Sequence, residues 1–143
     1  MSKSDLDFKS LFKAVQERNV TEVKRLIQLG GSVILPSAHL SLFCVAAQSG
    51  HVDIIEAMSA SKADINIPNK DGATPVFISA VVGHLDAIKA LCSLGADINI
   101  PDKDGATPVH VAAGYGHVDA IKALCGLGAD INIPDKDGAT PVH

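Results

Sequence analysis

At 143 residues with a 47% hydrophobic share, the chain is long enough to form one domain with a continuous core. Its formal charge is −4 and its lysines and arginines form no run, which excludes the basic footprint of a nucleic-acid binder. The longest mainly apolar run, residues 76–82 with Ser79 inside it, is far short of the ~20 residues that span a bilayer, and the opening MSKSDLDFKS is polar where a secretory leader turns apolar. These features predict a protein of the cell interior, cytoplasmic or nuclear, that meets neither nucleic acid nor membrane. Aromatic residues make up only 3% of the chain, so the core must be built from Ala, Val, Leu and Ile at close range.

The first predicted helix begins near Ser4, which with Asp7 forms a capping-box pattern carrying Asp in place of Glu. Phe8, Leu11, Phe12 and Val15 follow at helical spacing, and the two phenylalanines are expected to cover an open end. Ala14, Val20, Val23, Leu26 and Pro36 then reappear 32 residues later as Ala46, Val52, Ile55, Met58 and Pro68. Beyond that the offset is 33: residues 69–101 and 102–134 agree at 25 of 33 positions without a gap. The stretch DKDGATPVH restarts the unit at Asp135. A fixed period of this length predicts stacked supersecondary units, because one unit cannot bury its own apolar face. The chain therefore divides into a single repeat domain: an N-terminal capping unit 1–35, units 36–68, 69–101 and 102–134, and a partial unit 135–143.

Each unit reads as helix, turn, helix, extended loop. Thr74 is placed to cap a helix whose first position is Pro75, where the missing N–H costs nothing. Gly83 stops that helix in a left-handed conformation, and Asp86 sits in the first turn of the next, where its charge suits the dipole. Ile88, Leu91 and Cys92 form the buried stripe, and Gly95 closes the second helix. Small Ala80, Ala87 and Ala90 let neighbouring helices approach. The earlier units blur this code. Thr-Pro becomes Ser41-Leu42, the shared Gly-His becomes Arg18-Asn19, and Ala-Asp becomes Gly31-Ser32. Terminal units are expected to be atypical, since one side faces water.

The fourth unit, DKDGATPVHVAAGYGHVDAIKALCGLGADINIP, resembles the ankyrin repeat, with Val109 where that family places Leu. The third unit departs from the pattern at Phe77, a histidine position in the family, and at Ser79; the second departs at Ser41-Leu42. The resemblance spans residues 10–143. It implies an all-α solenoid, slightly curved, of stacked helix-turn-helix units with short β-hairpin fingers. It also implies binding of macromolecules through the fingertips and the concave helix surface, and no catalysis. Asn66, Asn99 and Asn132 are, by the same resemblance, possible asparagine-hydroxylation substrates.

Candidate chemistry is judged against that scaffold. His51, His84 and His117 recur one stack spacing apart, roughly 8–10 Å, whereas zinc ligands converge to ~2 Å from one ion. Each is expected to hydrogen-bond loop backbone of an adjoining unit. The resemblance makes His110 and His143 partners of the Thr hydroxyl in their turns, and His39 reads as a solvated loop residue. The loop from Asp130 begins like a calcium loop, but it places Pro134 at position five, Asp135 where Gly must turn, and Pro141 where Glu must be. Gly72-Ala73-Thr74-Pro75 lacks the Lys and paired glycines of a phosphate loop. No metal, cofactor or catalytic set is therefore expected, and the chain reads as a non-enzyme. Cys44, Cys92 and Cys125 fit a reducing compartment. Repeat spacing keeps Cys92 and Cys125 too far apart for a disulfide, which needs Cα atoms within ~7 Å, and all three are expected to be small buried residues.

The scaffold leaves certain surface positions free. The resemblance places them on the finger and at the end of the first helix. They are Ser37, Ala38, Leu40, Gln48 and Ser49 in the second unit, and Lys70, Asp71, Ala73, Val81 and Val82 in the third. In the fourth they are Lys103, Asp104, Ala106, Gly114 and Tyr115. Val81, Val82 and Tyr115 stand out, since a solvent-facing groove has no structural reason to prefer them and Tyr is favoured at hot spots. Both later fingers keep Lys-Asp, as recent duplication would leave them. The function expected is a scaffold that binds a protein or peptide partner in the groove. The alternatives are a structural spacer, or the regulatory arm of a longer multidomain protein. The partial last unit predicts continuation into further repeats, and a bare face near Leu124 and Leu127 that favours self-association.

Overall fold

The computed structural model describes residues 3–35 and 40–141. Ser37, Ala38, His39 and His143, with the side chains of Ser4, Asp7 and Leu40, lie outside the described part, and so do the expectations attached to them. Among these residues eight α-helices follow in pairs: α1 (Lys3–Gln16) with α2 (Val20–Gln28), and α3 (Leu42–Ser49) with α4 (Val52–Met58). Next come α5 (Pro75–Val82) with α6 (Leu85–Ser93), and α7 (Pro108–Gly114) with α8 (Val118–Gly126). Each helix packs on its partner. The odd-numbered helices stack in one row from α1 to α7, and the even-numbered helices in a second row behind them.

The local code sets these boundaries. Thr74 Oγ1 accepts from the Phe77 amide at 3.3 Å, with Pro75 at the first helical position. Ser41 does the same work for α3 through the Phe43 amide at 3.2 Å. At the other end of α6, the Ala96 amide reaches Leu91 O at 3.0 Å and the Gly95 amide reaches Cys92 O at 3.1 Å. These paired bonds satisfy carbonyls that the helix leaves open, and they require a left-handed residue at Gly95. In the second helix pair that slot is Lys62, held at φ 56, and α4 gives way to a 3-10 turn (Ser59–Ser61) just before it. A side chain in this region is strained, which accounts for the irregular end of the second pair.

The expected hairpin fingers take two forms. Between α2 and α3, β1 (Ile34–Leu35) and β2 (Leu40–Ser41) pair antiparallel, in register Ile34 with Ser41. The later fingers carry no strand. There Asn69 Oδ1 accepts from the Asp71 and Ala73 amides at 2.9 and 3.0 Å. Asp102 and Asp135 repeat this arrangement with the amides of Asp104, Ala106, Asp137 and Ala139. The side chain thus takes amide hydrogens that a ladder would use, and Pro68, Pro101 and Pro134 remove a donor just before each turn.

One apolar cluster runs the length of the molecule, from Phe8 and Leu11 through Phe43, Ile55, Val76 and Leu91 to Leu124. Phe8 and Phe12 lie with ring centroids 6.1 Å apart at the first helix pair, where they were expected. Leu124 is fully buried, correcting the expectation that it lies bare, whereas Val118, Leu127 and Ile131 are exposed. Ser79 is the anomaly of this core. It is fully buried, and its hydroxyl has no hydrogen-bond partner. The corresponding residues of the neighbouring pairs are Ala46 and Ala112. A buried hydroxyl without a partner costs roughly 1–3 kcal/mol, so Ser79→Ala is expected to stabilise the chain by about 1–2 kcal/mol. Urea denaturation measures this through a raised midpoint at unchanged slope.

Candidate functional site

The histidines are built into the joints between helix pairs. His117 Nε2 lies 2.9 Å from Val81 O, and His84 Nε2 lies 3.2 Å from Gln48 O. A carbonyl only accepts, so in both rings Nε2 carries the hydrogen. Each ring lies against the glycine that ends the odd-numbered helix of the pair before its own. A Cβ on Gly83 would come within 2.7 Å of the His117 ring, and one on Gly50 within 2.9 Å of the His84 ring. The glycine is needed twice over, for its positive φ and for the ring that rests on it. His51 departs from the expectation: its ring makes no hydrogen bond among the described residues. The reason is Arg18, which stands at the glycine slot of the first pair with φ 53 and carries a Cβ where the ring would rest. Arg18 instead meets Asp53 at 3.1 Å.

A second set of joints crosses the loops. Asn66 Oδ1 accepts from the Asp97 amide at 2.8 Å, and Asn99 Oδ1 from the Asp130 amide at 2.9 Å. His110 Nδ1 accepts from the Thr107 amide at 3.0 Å and sits 2.6 Å from Thr107 Oγ1. That leaves Nε2 to donate to Ala139 O of the following finger at 3.0 Å. Cys44 occupies the same slot two units earlier and points its thiol at Ala73 O, 3.9 Å away. Phe77 fills the slot between them and has nothing to donate.

The cysteines differ in environment. Cys44 is buried, which pushes its thiol up to about 12, and burial raises the half-buried Cys92 as well. Cys125 was expected to be buried and is exposed; among the described residues α6 is packed between α4 and α8, whereas no further even-numbered helix packs on α8. A thiol reacts as its thiolate, so iodoacetamide at pH 8 is expected to modify Cys125 first and Cys92 more slowly. Cys44 should remain protected until the chain unfolds. Mass spectrometry of timed aliquots checks the order.

With the scaffold's needs subtracted, a groove remains between the finger row and the odd-numbered helices. Gln48, Asp71, Ala73, Val81 and Val82 line one cavity of it. Ala106, Gly114 and Tyr115 line another, of about 520 Å³. Ser49 and Lys70 are exposed beside them. Ala73 is only 7% exposed and offers little more than backbone, whereas Val82 is 39% and Tyr115 65% exposed. The Tyr115 ring stacks on His117 with centroids 6.0 Å apart. The fingertip charges brace one another: Lys103 Nζ meets Asp71 at 3.1 Å, and Lys136 Nζ meets Asp104 at 3.0 Å. The Lys103 and Lys136 amides reach the Asp71 and Asp104 carbonyls in the same joints. Sequence reasoning missed this bracing, although the retained Lys-Asp pair was its signal.

Among the described residues no group of three His, Cys, Asp or Glu could hold a metal ion, and no helix is long and apolar enough to cross a membrane. Compared with curated proteins, the chain matches none. The family model described as Ankyrin repeats (3 copies) matches residues 43–135, more than half of the chain and the part where the joints recur. On that match, and on the paired helices, glycine-seated histidines and asparagine bridges described above, the chain belongs to the ankyrin-repeat family.

Proposed function

We propose that this chain is a non-catalytic scaffold that binds a protein or peptide partner through the groove between its fingers and its odd-numbered helices. The observation that carries the reading is the exposure of Val82 and Tyr115 at one slot of successive pairs. The second pair places Ser49 there and stacks as well, so the scaffold has no need of an apolar or aromatic residue. Tyr joins a rigid apolar ring to a hydroxyl, the combination that concentrates binding energy at interfaces. Four of six histidines are placed, and three of them are committed to backbone carbonyls, which supports a structural rather than a catalytic use. Three free thiols support a reducing, cytoplasmic address.

The test replaces Val81 by Gln, Val82 by Ser and Tyr115 by Ser, the residues that the second pair carries at these slots. Proximity labelling with the intact chain is expected to mark a partner that this variant no longer marks. The variant's circular dichroism and thermal midpoint should stay close to those of the parent. An unchanged set of marked proteins would overturn the reading.

A further inference from the structure

The cavity beside α5 differs from its counterparts along the groove. It measures about 280 Å³, its wall is Phe77, Ile78, Val81 and Val82, and its rim carries Asp71 and Asp102 with no lysine or arginine in the lining. The corresponding wall is Cys44, Val45, Gln48 and Ser49 one unit earlier, and His110, Val111, Gly114 and Tyr115 one unit later. An unbroken apolar wall facing two carboxylates therefore occurs at this place along the row. Stacking does not ask for it: the Val81 carbonyl accepts from His117, but the valine side chains play no part in that bond. The volume falls just below the range that holds drug-sized ligands and cofactors, which suits a single aliphatic side chain.

The rim is acidic. Asp102 uses Oδ1 to hold the Asp104 and Ala106 amides and forms no ion pair among the described residues, although Lys103 and Lys136 lie near enough to feel its charge. Asp71 meets Lys103, but both side chains of that pair are more than half exposed, and such surface pairs exchange partners at little cost. A cation brought alongside an apolar anchor would find both carboxylates within the same rim. Opposed charge at a rim selects the partner and its register, while the apolar contact holds it.

We infer that this cavity takes a branched aliphatic side chain from a partner peptide segment, with a lysine or arginine one or two residues away set against Asp102 and Asp71. The inference rests on the groove reading above and narrows it to one recognition chemistry.

The probe is a random dodecapeptide library displayed on phage and selected on the full chain, with the enriched peptides synthesised and titrated by fluorescence anisotropy. Enrichment of Leu, Ile or Val next to Lys or Arg is expected. Val81→Gln with Val82→Ser should weaken those peptides by about tenfold or more. Asp71→Asn with Asp102→Asn should weaken them by about three- to tenfold at low salt, with the difference shrinking as salt rises. Both variants keep the helix stack, and Asp71→Asn gives up the exposed Lys103 ion pair but keeps the bond from the Lys103 amide to the Asp71 carbonyl. Gln-Ser is the pair that the second unit carries, and Asn69 already holds its finger with the same two amide bonds that Asp102 makes. Enriched peptides that lose affinity with the valines but lack a basic residue, or that ignore the Asn variant, would overturn this inference and leave the groove reading standing. No enriched peptide sensitive to the valines would overturn both.

Discussion

Gly83→Ala is expected to lower the unfolding free energy by about 2–4 kcal/mol, and Gly116→Ala by only about 1 kcal/mol. The two glycines share a backbone conformation, at φ 77 and 71. Alanine in that region costs about the same at both. They differ in what a new methyl group meets. At Gly83 it comes within 2.7 Å of the His117 ring, while at Gly116 there is nothing within 4 Å. Seating the methyl group at Gly83 must push the ring away from Val81 O and loosen the joint between the third and fourth pairs. The difference between the two variants therefore isolates the joint from the backbone strain. Urea denaturation of both, at equal slope, measures it. Equal losses would mean that the ring is not held where the geometry puts it.

Leu91→Ala is expected to cost about 2–5 kcal/mol, and Leu127→Ala less than about 1 kcal/mol. Leu91 is fully buried in α6, which packs between α4 and α8. Truncation there leaves a cavity lined from both sides, and in a stack each interface supports its neighbours. Leu127 is 48% exposed at the end of α8, where the removed atoms give up little burial. A thermal melt of the two variants against the parent shows the contrast. The aromatic-poor composition sharpens this expectation, since few large side chains stand near enough to relax into the gap.

Much of this architecture could be read from the chain because its determinants are local. The Thr74-Pro75 start, the Gly95 stop and the Asp86 charge each act within one helical turn, and each was placed from the sequence. The period then supplied the stacking without any knowledge of distant contacts. What escaped the reading depends on the identity of a neighbour one unit away. His51 follows the repeat rule in sequence, yet Arg18, a residue 33 positions earlier, denies its ring a seat. Cys125 matches Cys92 in sequence, and only the helix packed beyond α6 separates their burial. The retained Lys-Asp fingertips fit a recent duplication, but Asp71 with Lys103 and Asp104 with Lys136 give a physical reason to keep both. Of the proposed groove, the exposure of Val82 and Tyr115 was legible because the scaffold has no use for those side chains. Ala73 was carried over by position, and its burial could not be seen from that.

Nitrogen-15 correlation spectra of the histidine rings decide whether the recurring polar residues serve the joints between helix pairs. His84, His110 and His117 are each expected to hold the hydrogen on Nε2. His51, whose ring makes no such bond among the described residues, should not be held in that single form. Rings at His84 and His117 that share the hydrogen between both nitrogens would overturn that role, for they would then be free for chemistry that the scaffold does not claim.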